Sequence, residues 1–139
     1  MTYICITNNN IDLQDMITNR KASAYHKYAG LRVDKIEKND LIFIYRTEKN
    51  SSESEKTGII AYGYANGKKE ILRACKSGLD SIEEDCAYLD KFTILEKAVS
   101  FAVLRSIHKK HSDKKFILAN VTLKKLCEKF AKDLLNEIT

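Results

Sequence analysis

The chain begins with a run of apolar and β-branched residues, Thr2 to Thr7, that stops at three consecutive asparagines. Such a run, followed by a polar cluster, predicts a β-strand and a loop. From Ile11 to about Lys21 the apolar positions fit one or two turns of helix. Residues 22–31 have no regular period, and we expect them to form an ordered but irregular surface loop.

Three further strands are predicted along the middle of the chain. Asn39-Asp40 provides a turn before the apolar run Leu41 to Tyr45. Residues 48–56 contain no hydrophobic side chain and predict a hairpin loop, after which a strand resumes and ends at Asn66-Gly67. The pattern between Lys68 and Asp85 is too weak to predict an element. Tyr88 to Ala98 is typical of a long strand, with Tyr88, Phe92 and Ile94 facing inwards.

The last third of the chain predicts two amphipathic helices. The first extends from Ser100 to about His111, and the second from Thr122 to Ile138, with apolar residues at helical spacing and a cap at Asn120 or Thr122. The whole chain is 139 residues long, which suits one domain over residues 1–139. We therefore expect an α+β protein, a small mixed β-barrel with flanking helices and an amphipathic C-terminal helix.

The composition adds weak constraints on partners and location. Twenty-four Lys and Arg residues against 19 Asp and Glu give a formal charge of +5, a mild bias towards polyanions. No apolar stretch reaches the roughly 18 residues of a membrane span, and the first residues lack the features of a signal peptide, so we expect a cytoplasmic protein without membrane contacts. The four cysteines are not spaced as metal or redox pairs, and we expect Cys5 and Cys127 to fill the core.

Catalytic and metal-binding arrangements are not evident in the sequence. His108 and His111 end a predicted helix, where cationic groups suit the helix dipole better than a metal does. The run Glu83-Glu84-Asp85 is typical of a solvated turn. No glycine-rich phosphate loop is present. The sequence therefore predicts neither a cofactor, nor a metal, nor an enzyme.

Aromatic and basic residues are interleaved in two places. Tyr25-His26-Lys27-Tyr28 follows Arg20-Lys21, and Tyr45 precedes Arg46. Aromatic rings stack on bases and cations hold phosphates, so this pattern is what a reader of an unpaired base needs. The alternative, that tyrosines such as Tyr45, Tyr62 and Tyr64 only fill a barrel wall, stays open.

Three blocks of the first half resemble one known family. The opening residues 1–10, MTYICITNNN, look like the first strand and Thr-Asn loop of EVE-domain proteins, which are part of the PUA-like superfamily and related to the YTH readers of methylated RNA. Residues 33–45, VDKIEKNDLIFIY, resemble the basic turn and apolar strand of the same family, with Asn39 in place of a glycine. Residues 57–64 are similar to its return strand.

The resemblance implies a PUA-like fold with a pocket for a modified base beside the end of the first strand. In some prokaryotic members such a domain is the DNA-reading part of a modification-dependent restriction system. Carried over to this chain, the pocket comprises residues from the first loop, the irregular loop and the second predicted strand, namely Asn8, Asn10, Tyr25, His26 and Tyr45. The family usually has tryptophans there, and this chain has none. The aromatic cage around the base is therefore rebuilt from tyrosines or is absent.

The resulting hypothesis is a non-catalytic domain that binds DNA or RNA and captures one modified base, alone or within a larger complex. Flanking phosphates are expected to contact six basic residues, namely Arg20, Lys21, Lys27, Arg46, Lys68 and Lys69. One alternative is a protein-interaction module, which predicts an exposed apolar stripe on a C-terminal helix. A second alternative, a small enzyme acting on a nucleotide or RNA, requires converging acid and base groups.

Overall fold

The computed structural model describes residues 1–7, 10–25, 33–47, 57–74, 82–118 and 123–138. Within these ranges there are six strands, β1 Thr2–Thr7, β2 Lys21–Tyr25, β3 Leu41–Arg46, β4 Gly58–Ala74, β5 Ile82–Val99 and β6 Leu123–Leu126. The helices are α1 Asn10–Asn19, α2 Phe101–Lys109 and α3 Glu128–Ile138, with a 3-10 turn at Val33–Lys35. The expected hairpin loop over 48–56 and the expected cap residues Asn120 and Thr122 lie outside the described residues.

The six strands form one mixed sheet in the order β2-β5-β4-β3-β1-β6. Only β1 and β3 run parallel, and every other neighbouring pair is antiparallel. The sheet is strongly curled. This curvature is shown by a contact between β1 and β2, which three other strands separate in the sheet: the thiol of Cys5 donates a hydrogen bond to the carbonyl oxygen of Ser23 at 3.4 Å. The fold is therefore α+β with a half-barrel, consistent with the expected barrel-like architecture.

Alternating side chains of the sheet supply two separate cores. On β3, Ile42 and Ile44 contribute to the first core, which α1 covers with Leu13 and Met16. Phe43 lies on the other face, in the second core. That core also contains the principal apolar side chains of α2 and α3, namely Leu104, Ile107, Phe130 and Leu134. The two C-terminal helices thus form a layer on one side of the sheet.

Several elements are confirmed with close boundaries. The strands β1 and β3 occupy the two apolar runs, and Asn39 takes the left-handed backbone of the expected turn with a φ of 76°. Helix α2 begins where expected, because the Ser100 hydroxyl accepts a hydrogen bond from the backbone N–H of Val103 at 3.4 Å. Cys5 is fully buried, as expected for a core filler.

Other elements differ from the sequence prediction. Residues 21–25 form an edge strand paired with β5 rather than an irregular loop. The second C-terminal helix starts only at Glu128, because residues 123–126 pair with β1 instead. Leu123 and Leu126 are both buried in this strand. Their spacing of three residues also fits one face of a helix, which explains the wrong prediction.

The long strand β5 also departs from expectation. It begins at Ile82, well before Tyr88, and Ile94 is 59% exposed rather than facing inwards. Glu84 and Asp85 are buried within it, so they are not a solvated turn. Cys127 is exposed and fills no core position.

Candidate nucleic-acid interface

The structure describes only part of the predicted base pocket. Asn8, His26 and Lys27 lie outside the described residues. Asn10 is the first residue of α1 and Tyr25 the last residue of β2, and for these two the backbone alone is described. The geometry of the predicted pocket therefore depends on Tyr45 and on the register of the strands.

Tyr45 is an interior side chain, 5% exposed, within the second core. It pairs with Ile59 of β4, and Ile59 in turn pairs with Val99 at the end of β5. Tyr25 pairs with Glu84, near the beginning of β5. The two tyrosines are thus in register with opposite ends of the longest strand, and the ring of Tyr45 does not form the wall of an open cleft.

Lys21 is a buried cation rather than a surface charge. Its side chain is 3% exposed, and its ammonium lies 3.0 Å from the Asp15 carboxylate. Burial lowers the pKa of the Lys21 ammonium, but the hydrogen bond to Asp15 and the nearby charge of Glu84 outweigh this effect, so the net pKa is raised. The expected phosphate contact of Lys21 does not agree with this position, because its charge is already compensated inside the protein.

The other described basic residues of the prediction have mixed surroundings. Arg20 is exposed directly after α1, with a left-handed φ of 51°. Lys69 is exposed on β4, and Arg46 is half-buried at the end of β3. Lys69 pairs with Ala87 and Lys21 with Tyr88, so these two residues flank the same part of β5, whereas Arg46 pairs with Gly58 at the start of β4.

Lys68 belongs to a small polar cluster on the β4–β5 ladder. Its ammonium lies 3.5 Å from the Glu70 carboxylate and 4.7 Å from the centre of the Tyr88 ring. The Tyr88 hydroxyl donates to Glu70 at 2.8 Å, which lowers the pKa of Glu70 and raises the pKa of Tyr88. A phosphate at Lys68 would have to approach a carboxylate that the cluster keeps ionised.

The positive charge is concentrated in a part of the chain that the sequence prediction did not select. Residues 101–138 contain nine Lys and Arg against four Asp and Glu, whereas residues 1–100 contain 15 of each. The entire formal charge of +5 therefore belongs to the last three elements and their connections. A running count of charge along the sequence is the signal that would have revealed this segregation.

These residues form what we call the C-terminal layer, that is α2, the described segment 110–118, β6 and α3. Its basic side chains are all exposed except Lys124, which is half-buried: Arg105, Lys109, Lys110, Lys114, Lys115, Lys124, Lys125, Lys129 and Lys132. The ammonium of Lys124 lies 5.4 Å from the centre of the Phe116 ring. Its position over an aromatic face holds this cation at the surface of the layer.

Aromatic packing fixes the shape of the layer. The ring of Phe116 lies 5.2 Å from His108 and 5.3 Å from Phe130, which joins the segment after α2 to α3. His111 contacts the Asp133 carboxylate at 2.6 Å, a second link between the segment after α2 and α3. The two histidines therefore have separate partners. In the described ranges no group of three or more His, Cys, Asp or Glu residues could hold a metal ion.

Among the described cysteines, the buried Cys5 and Cys86 are poor nucleophiles. Burial raises the pKa of Cys5 to about 12 and that of Cys86 to about 11. Both thiols therefore stay protonated at neutral pH, and neither is exposed.

Comparison with known proteins leaves the family open. No protein-family model matches the chain, and no curated protein matches it. Among the helices that the structure describes, none is long and apolar enough to cross a membrane.

Proposed function

We propose that the protein is a non-catalytic nucleic-acid-binding domain that contacts the phosphate backbone through its C-terminal layer. The observation that carries the proposal is the segregation of charge, since the whole formal excess of +5 lies in residues 101–138. Exposed cations concentrated in one layer are the electrostatic requirement for binding a polyanion.

The C-terminal helices favour a polyanion over an apolar partner. Their large apolar side chains are turned into the second core. Among the described residues, the exposed large apolar side chains are Met1, Ile71, Ile94 and Ile117, and none of them lies in α2 or α3. A protein-interaction module that docks through an apolar stripe on these helices therefore lacks its expected surface.

Recognition of a modified base, DNA or RNA, is the finer part of the proposal. It rests on the resemblance to EVE domains and involves Asn8, Asn10, Tyr25 and His26. Tyr45 is left out because its ring is in the core. A panel of oligonucleotides that differ in one methylated base tests this part, and equal affinity for all of them would contradict it.

The phosphate contact is tested by charge reversal in the layer. We expect Lys109→Glu/Lys110→Glu to weaken binding of a labelled oligonucleotide at least about tenfold, and to reduce the slope of log K against log salt by about two. Fluorescence anisotropy between about 50 and 200 mM salt measures both quantities.

A matched variant separates a local effect from a change in net charge. Lys35 and Lys38 are equally exposed but lie before β3, outside the layer. Lys35→Glu/Lys38→Glu changes the formal charge by the same amount and is expected to retain most of the affinity. Equal losses in the two variants, or a wild-type protein that binds no oligonucleotide, would refute the proposal.

A further inference from the structure

Two tyrosines of β4 lie together on the face of the sheet that carries the C-terminal layer. Tyr62 and Tyr64 are separated by one residue, so their side chains project from the same face. Both pack against the second core, and the ring of Tyr62 is 5.9 Å from that of Phe43 at an angle of 47°. Phe43 is fully buried, whereas both tyrosines are only half-buried. They therefore extend the aromatic core to solvent.

The residues of β5 that pair with the two tyrosines have short side chains. Tyr62 pairs with Thr93 and Tyr64 with Asp90, both short and exposed. An irregularity between these pairs accommodates Lys91, an exposed cation with a φ of 51°. The strand neighbours of the two tyrosines are thus short polar residues, and the exposed Lys91 lies between these neighbours in the sequence of β5.

The remaining described tyrosines differ from this pair. Tyr3 and Tyr45 are buried. Tyr88 has its ring beneath Lys68 and its hydroxyl bonded to Glu70. Among the tyrosines whose side chains the structure describes, Tyr62 and Tyr64 are the half-buried ones that do not belong to such a polar cluster.

The spacing of the two rings suits unstacked bases. Residues two apart on a strand are about 6.6 Å apart, roughly twice the 3.4 Å between stacked bases along one nucleic-acid strand. Two adjacent bases could each lie on one ring only if they have separated from each other. Bases held inside a duplex do not offer their faces in this way.

We infer that Tyr62 and Tyr64 form a stacking platform for two adjacent bases of a single-stranded nucleic acid, with Lys91 and the C-terminal layer contacting the phosphates. The inference rests on the proposed function, which supplies the electrostatic attraction, and adds the strandedness of the ligand. Stacking on aromatic side chains tolerates any base, so the platform binds single strands with little dependence on sequence.

The test compares single-stranded and duplex oligonucleotides of about 12 nucleotides, a length within the site sizes of single-strand binding domains. Tyr62→Leu/Tyr64→Leu retains apolar contacts to the core but removes the aromatic faces, and we expect single-strand affinity to fall about 10- to 100-fold. Tyr62→Phe/Tyr64→Phe retains the rings and is expected to bind within about twofold of wild type. Tyr88→Leu serves as the control tyrosine and is expected to have no effect.

A second measurement does not depend on how well the leucine variant folds. The chain has seven tyrosines and no tryptophan, so tyrosine fluorescence is observed directly and stacking on bases should quench it. Photocrosslinking of the wild-type protein to a 4-thiouridine oligonucleotide, followed by peptide mapping, should label the segment containing Tyr62 and Tyr64.

The outcomes distinguish the two proposals. Single-strand binding that is unaffected in a folded leucine variant, with crosslinks elsewhere, would overturn the platform. If Lys109→Glu/Lys110→Glu still weakens such binding, the proposed function stands. Equal affinity for duplex and single strand would also overturn the platform, and no binding to either would overturn both proposals.

Discussion

Gly58, the first residue of β4, provides the sharpest test of how closely β4 packs against the end of β5. Its φ of 122° is a backbone conformation that residues with side chains rarely adopt. A Cβ at this position would overlap the carbonyl oxygen of Val99 and lie 2.8 Å from its carbonyl carbon. Both obstacles are backbone atoms of the neighbouring strand, so they cannot be relieved by rotating a side chain.

We expect Gly58→Ala to lower the free energy of unfolding by about 2–6 kcal/mol. Backbone strain contributes about 1–3 kcal/mol, and forcing β4 away from β5 adds about 1–3 kcal/mol, as in other overpacked sites. A loss of this size is a large part of the 5–15 kcal/mol that stabilises a typical domain. Urea unfolding followed by circular dichroism measures it.

Gly67→Ala is the matched control. Gly67 also has a positive φ, 92°, but the nearest atom to an added Cβ is the Lys38 Cβ at 3.6 Å, an ordinary contact. This variant therefore has the strain without the collision, and we expect it to lose only about 1–2 kcal/mol. A difference of less than about 1 kcal/mol between the stability losses of the two variants would contradict the close approach of Gly58 to Val99.

Three further predictions concern buried polar groups. Lys21→Met retains the aliphatic contacts but removes the partner of Asp15, so the free energy of unfolding should fall by about 1–2 kcal/mol. This loss is smaller than for a fully buried ion pair because Asp15 is partly exposed. Its oligonucleotide affinity should be unchanged, and a loss as large as that of the layer variant would restore Lys21 as a phosphate contact. Because the folded protein keeps the Cys5 proton to about pH 12 while the unfolded chain releases it near pH 9, the contribution of Cys5 to stability should fall by about 1.4 kcal/mol per pH unit between about pH 9 and pH 12. In Cys5→Ala that decline should be shallower, whereas Cys127→Ala should leave it unchanged. Iodoacetamide should modify the exposed Cys127 in the folded protein but reach Cys5 only after unfolding, and equal rates would contradict the burial of Cys5.

Elements with strong local signals could be predicted from the sequence. The runs that became β1 and β3 are apolar at nearly every position, because both strands are covered on both faces. Helix α2 was predictable from its apolar spacing and from Ser100 as its cap. In each case the information lies within a few neighbouring residues.

Elements defined by distant partners could not be predicted in the same way. Residues 21–25 become a strand because β5 pairs with them, and no local period signals it. Leu123 and Leu126 fit a helical spacing, and only pairing with β1 makes them a strand. The candidate site residues divide in the same manner. The excess charge of residues 101–138 can be counted in the sequence, whereas the burial of Tyr45 and Lys21 results from tertiary packing.

The pairing of β1 with β6 has a consequence for the order of folding. Thr2 lies opposite Leu126, so the ladder joins residues more than 120 positions apart and cannot form until residues 123–126 have left the ribosome. Until then the edge of the apolar strand β1 is unpaired, and such an edge is a site for pairing with other chains. Closing such a long loop also slows folding. The exposed Lys125 of β6 finally gives the finished sheet a charged border, which discourages intermolecular growth.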